Sequence, residues 1–118
     1  FAPGIPQVYY VGLLAGKNDL KLLEETKEGR NINRHYYTNE EIAEEVQRPV
    51  VKSLLNLFSF RNQSEAFDLE GTIEIETPTA HSIVIKRQNK DKSVTAVAEI
   101  DLQSQTYQVL ENGRKIQF

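Results

Sequence analysis

The chain has 118 residues, 39% of them hydrophobic and 26% charged, an ordinary balance for a globular protein with one modest core. A net charge of −3 offers no electrostatic footprint for nucleic acid or an anionic membrane surface, and no apolar run is long enough for a transmembrane helix. There is no cysteine, which removes disulfides and thiolate metal sites and fits a reducing compartment, the cytoplasm.

The chain opens on Phe1 without a basic leader, an apolar core and a small-residue cleavage site, so no secretory signal is expected. Residues 4–16, GIPQVYYVGLLAG, hold a short β-prone run, Val8-Tyr9-Tyr10-Val11, between Pro6 and Gly12. No polar residue alternates with it. A strand apolar on both faces belongs inside a parallel sheet covered by helices. Parallel neighbours arrive as alternating strands and helices, and this chain has no second such unit. Two readings stay open: a single buried strand in a small mixed sheet, or a strand whose neighbours lie in sequence outside this chain.

Residues 17–37 are polar. One or two helical turns are expected over residues 19–27, capped by Asn18 or Asp19 and ended by Gly29 in the left-handed conformation. A connection this long is usually functional or disordered. The close run of Arg30, Asn31, Asn33, Arg34, His35, Tyr36 and Tyr37 argues for order.

Residues 38–62, TNEEIAEEVQRPVVKSLLNLFSFRN, carry the one long helical signal. Thr38 and Glu41 form a capping box, the hydroxyl taking a backbone N–H and the carboxylate reaching back to the cap. Ile42, Val46, Val50 and Leu54 recur at a spacing of four and predict one apolar face. Pro49 cannot donate to the carbonyl of Glu45, which predicts a short helix ending near Gln47 and a longer one from Arg48 with Pro49 in its first position. The face widens after Pro49 through Val51, Leu55, Leu57, Phe58 and Phe60, more than a small sheet covers.

After a connector in which Phe67 and Leu69 are possible plugs, the period changes to two. Ile73 and Ile75 alternate with Glu74 and Glu76, and Val94, Ala96, Ala98 and Ile100 with Thr95, Val97, Glu99 and Asp101. Pro78-Thr79, residues 89–92, Gln103-Ser104 and Asn112-Gly113 supply the turns, Asn-Gly being the strongest hairpin signal. About five antiparallel strands in a meander with one dry face are expected over residues 71–118.

Little in the composition points to chemistry. The pairs Glu24-Glu25, Glu40-Glu41 and Glu44-Glu45 invite comparison with retaining glycosidases, which hold two carboxylates about 5 Å apart. Adjacent helix positions do not face each other, and a solvated face is the better reading. His35 and His81 stand in different segments with no ligand spacing, so no metal is expected. Neither a nucleophile elbow nor a phosphate-binding glycine loop is present, and no cofactor is implied. The strongest candidate is GRNINRHYY, residues 29–37. Arg30 and Arg34 offer planar donor forks for sugar hydroxyls, carboxylates or phosphate. Arg34, Tyr36 and Tyr37 are better read as staples of the loop to the helix start, and Arg30 as a functional side chain.

The strings GIPQVYY, AGKND, GRNINRHYY and RPVVK follow in an order that resembles the C-terminal part of the sucrose phosphorylase family, densely over residues 3–62 and only in layout over the β half. That family is of the retaining α-amylase type. The resemblance implies an α+β arrangement. Residues 1–62 would be the last strand (1–12), loop (17–37) and helix (48–62) of a (β/α)₈ barrel, with the active site at the C-terminal ends of the strands. Residues 63–118 would be the small antiparallel β-sheet domain of about five strands that follows. It implies cleavage of sucrose by phosphate to α-glucose 1-phosphate and fructose, through a covalent glucosyl intermediate on an aspartate with a glutamate as acid and base. None of those carboxylates maps onto this chain, so by itself it is expected to be inert. Arg30 alone matches a family active-site position, in the donor-glucose pocket. Asn31 stands where the family commonly has aspartate, which leaves any role of that side chain in doubt. Exposed barrel-facing surface is expected to bring two copies together as a homodimer, with residues 1–37 otherwise disordered. The contrasting expectation is an independent β-rich binding or interaction module.

Overall fold

The computed structural model describes residues 1–118. They fall into two units, one of Pro6–Leu57 and one of Phe1–Ile5 with Phe58–Phe118.

In the second unit, β1 (Thr72–Glu76), β2 (Ser82–Gln88), β3 (Thr95–Asp101), β4 (Thr106–Glu111) and β5 (Arg114–Ile116) form one five-stranded antiparallel sheet in which each strand pairs with the next. This is the expected meander. Its register places Ile75, Ile85, Ala98, Val109 and Ile116 in one row across the sheet, and Ile73, Arg87, Ala96 and Glu111 in the adjacent row. Alternation at a period of two therefore gathers the strand isoleucines, Ala96, Ala98 and Val109 on one face, with Val84 and Val97 on the other. Burial concentrates at Ala96, Ala98 and Val109; Ile75 and Tyr107 stay more than half exposed, so the face is dry only in part. Asn112 (φ 48°) and Gly113 (φ 78°) turn the last hairpin through two left-handed residues, as its two-residue loop demands.

A short 3₁₀ turn, Glu65–Phe67, closes that face. Ser64 caps it, accepting from the Ala66 N–H and donating to the Glu111 carboxylate. Phe67 packs with Ala66 and Ala96, joined by Phe1, Phe60 and Val94. Leu69, the other expected plug, is 94% exposed. Arg87 is buried beside this core: its guanidinium lies 5.2 Å from the Phe67 ring centroid, and Nη1 donates to the carbonyls of Phe1 and Ala2 at 3.2 and 3.4 Å.

The first unit is helical. It contains α1 (Tyr10–Leu13), α2 (Leu20–Thr26), a 3₁₀ turn (Gly29–Asn33), α3 (Asn39–Glu45) and the start of α4 (Pro49–Gln63), which from Phe58 on belongs to the other unit. The Thr38–Glu41 capping box is formed, and Pro49 is the first residue of α4. The spacing of four does not run through the break. Val51 is fully buried whereas Val50 is 48% exposed, because the turn ahead of Pro49 rotates the two helices out of a common register.

Two expectations are corrected. Val8–Val11 is not a strand: Tyr10–Leu13 is helical, and no strand occurs before residue 72. A strand needs a ladder from neighbouring strands, and the first unit contains none. The backbone instead bonds locally, Leu13 N–H to Tyr9 O and Leu14 N–H to Tyr10 O at 3.0 Å each. The end of α2 is set by Lys27 (φ 55°) and not by Gly29, which opens the next turn. No helix is long and apolar enough to cross a membrane.

Candidate functional site

The candidate loop is held at both ends by helix caps. Asp19 caps α2, one carboxylate oxygen accepting from the Leu22 N–H at 2.9 Å. Its other oxygen lies 2.8 Å from His35 Nδ1. On the far side of the ring, His35 Nε2 lies 3.2 Å from Glu41, whose second oxygen accepts from the Thr38 N–H at 2.7 Å. A carboxylate faces each ring nitrogen, and both contacts are hydrogen bonds when the ring carries both protons; the imidazole is raised above its ordinary pKa, chiefly by the Asp19 hydrogen bond. Asp19 and Glu41 are in turn held below the ordinary carboxylate range, first by the backbone N–H groups they cap and then by His35. The two carboxylates lie on opposite edges of the ring and cannot share an ion, and no group of three His, Asp or Glu side chains is placed to hold a metal.

The tyrosines divide. Tyr37 stacks edge-on against the His35 ring at 4.6 Å and against Tyr10 at 6.1 Å, while the Tyr10 hydroxyl donates to the His35 carbonyl at 2.8 Å. Gly16 makes room for this: a Cβ there would run into the Tyr37 hydroxyl and the Val11 side chain. Tyr36 is 74% exposed and Arg34 is exposed, so neither staples the loop as expected of them. Arg48 fastens the start of α4, with Nη1 on the Leu14 carbonyl at 3.3 Å and on the Glu45 carboxylate.

Arg30 sits in the 3₁₀ turn Gly29–Asn33. Its side chain is 67% exposed, and Nε and Nη2 both reach one oxygen of Glu28 at 2.9 Å. The fork is thus oriented but lies at the surface. Asn31 donates to the Thr26 hydroxyl at 3.0 Å, a local contact that ties the turn to the end of α2. Around the His35 bridge, an open groove of about 830 Å³ is lined by Lys17, Asp19, Lys21, Tyr37, Glu44 and Arg48 among others. Arg30 does not line it. The His35 bridge is not foreseen by ligand spacing, the chemical property for which the sequence was read at His35. The usable signal was an N-cap aspartate and a capping-box glutamate on either side of the one histidine of the loop.

No family model matches the chain. Over all 118 residues it is 73% identical to a stretch amounting to 24% of the sucrose phosphorylase of Streptococcus mutans. It is 50% identical, over 84% of its length and 19% of the relative, to the sucrose phosphorylase of Bifidobacterium adolescentis. Among solved structures, it matches sucrose 6F-phosphate phosphorylase from Thermoanaerobacter thermosaccharolyticum with a TM-score of 0.86 and 44% identity, over 98% of this chain and 23% of that one. The chain therefore spans about a quarter of the length of these relatives.

Proposed function

We propose that this chain, which matches the C-terminal region of sucrose phosphorylases over its whole length, is part of an enzyme that cleaves sucrose with phosphate to α-glucose 1-phosphate and fructose. The observation that carries this reading is the 73% identity over the whole chain. The solved relative at 44% identity is named for sucrose 6F-phosphate, and the higher identity favours unphosphorylated sucrose.

In this reading the reaction is a retaining double displacement of the α-amylase type, and its carboxylates come from the remainder of the enzyme. Arg30 contributes to the donor-sugar pocket. Its guanidinium has directed donors, is exposed, and is held only by Glu28, an exposed partner that a sugar hydroxyl or phosphate can displace at small cost. The apolar groove of Tyr10, Leu13, Ile42, Val46 and Leu55 is where the remainder packs. The test is made on the enzyme as native cells produce it. Isolated by antibodies to this chain, it should have an intact mass about four times 13.5 kDa and should form glucose 1-phosphate from sucrose and phosphate. A pure protein without that activity overturns the proposal.

A further inference from the structure

The hydrogen bond and ion pair of the Arg30 side chain both go to Glu28, an exposed neighbour two residues away, so its direction is set chiefly by the backbone of the turn that carries it. That turn is attached at few points. The Ile32 carbonyl, two residues from Arg30, accepts from the Asp19 N–H at 2.6 Å, and Asn31 donates to Thr26 at 3.0 Å. Asp19 is therefore the hub: its N–H holds the turn, one carboxylate oxygen caps α2, and the other meets His35. His35 in turn reaches Glu41, whose remaining oxygen closes the α3 capping box. Every oxygen of the two carboxylates is thereby engaged, and the His35 ring is the single side chain joining the two ends of the loop.

We infer that His35 is a positioning residue for Arg30: its ring, bridging Asp19 and Glu41, fixes the Gly29–Asn33 turn and with it the direction of the Arg30 guanidinium. This rests on the reading of Arg30 given above. The bridge works as a charged triad, anion–cation–anion. Lys17, Lys21, Glu44, Glu45 and Arg48 line the same groove, Tyr37 lies against the ring, and Tyr10 holds the His35 carbonyl. Glu45 is engaged by Arg48, so no group in the groove other than Asp19 and Glu41 contacts the imidazole nitrogens. Deprotonation of His35 leaves one nitrogen facing a carboxylate with no proton to donate, and the loop opens at that side.

The experiment is a double-mutant cycle in a full-length phosphorylase carrying this chain, with kcat and KM for sucrose measured between pH 5 and 8. His35→Ala should lower kcat/KM by about ten- to a hundredfold, the scale of a misplaced substrate contact. In an Arg30→Ala background the same change should have little further effect, because the group it positions is gone. His35→Gln, which stays neutral, should lose the part of the pH profile that falls as the wild-type imidazole deprotonates. Far-UV circular dichroism and melting temperature monitor folding; if His35→Ala does not fold, His35→Gln carries both arms. Wild-type kinetics in the folded His35 variant, or an equal loss with and without Arg30, overturns the inference. An unaffected Arg30→Ala enzyme overturns the Arg30 reading itself, and a loss in His35→Ala alongside it shows that the ring acts elsewhere.

Discussion

Replacing Phe67 with alanine removes the ring around which the β unit closes. Phe67 is 8% exposed. Its ring lies 4.9 Å from Phe1 and 5.9 Å from Phe60, with the guanidinium groups of Arg61 and Arg87 at 5.4 and 5.2 Å. Truncating a buried phenylalanine costs about 3–5 kcal/mol from lost transfer energy and the cavity left behind. Arg87 also loses its aromatic partner while remaining buried, so the upper end of that range applies. A chain of this size has on the order of 5–15 kcal/mol of stability, so the β unit should lose much of its margin. Urea unfolding followed by circular dichroism should show a midpoint lower by about 2 M. Leu69→Ala, two residues along but almost fully exposed, should stay within about 0.5 kcal/mol of the parent. A Phe67→Ala loss below about 1 kcal/mol, or equal losses at both positions, would show that Phe67 does not anchor this core.

Gly71→Ala should destabilise the β unit by about 1–3 kcal/mol in thermal or urea melts, because a Cβ there meets the Gln88 carbonyl oxygen and the backbone must shift; an unchanged midpoint argues against that close approach. The His35 bridge should be complete only within a pH window. The raised imidazole contributes fully below its ordinary 6.5 and its contribution is lost as pH rises through the raised value, while the lowered Asp19 and Glu41 contribute above 3.8 and 4.5 and fail as pH falls through theirs. Amide shifts of Asp19 and Leu22 in a ¹⁵N NMR titration should therefore stay constant between those limits and move outside them; a flat response up to pH 9 would contradict the bridge. The isolated chain should release no fructose from sucrose and phosphate, and should self-associate through Tyr10, Leu13, Ile42, Val46 and Leu55. Fructose release that Glu→Gln changes within the chain abolish, or a strict monomer across concentrations in sedimentation, would refute these in turn. In the full-length enzyme Arg30→Ala should cost about ten- to a hundredfold in turnover, from loss of a charge-assisted hydrogen bond; unchanged kinetics in a folded variant would remove Arg30 from the site.

What could be read in the sequence is what local rules determine. Thr38 with Glu41, Pro49 opening a helix, and Asn112-Gly113 between alternating runs each carry their structure within a few residues, and all three appear as expected. The five strands follow because a period of two leaves one way to put Ala96, Ala98 and Val109 inside. What failed depends on partners. Val8–Val11 has the composition of a buried strand but no neighbour in this chain to complete a ladder, so it takes a helical turn. Phe67 and Leu69 are equally apolar, and only the geometry of the Ser64 cap decides which points inward. Likewise, His35 gains its role from Asp19 and Glu41, 16 residues before it and 6 after, a pairing signalled only by reading two separate helix caps together. Arg30 is singled out by its donor fork and by the resemblance, while in this chain it is an exposed arginine paired with a near neighbour.

The most direct test of the central claim is a replacement. The matching region of the Streptococcus mutans sucrose phosphorylase, to which this chain is 73% identical, is exchanged for these 118 residues, and formation of α-glucose 1-phosphate from sucrose and phosphate is measured. The account predicts a folded chimera with kcat/KM within about tenfold of the parent enzyme, a change in barrier of about 1.4 kcal/mol at most. A chimera that folds, keeps its melting temperature and forms no glucose 1-phosphate would contradict it.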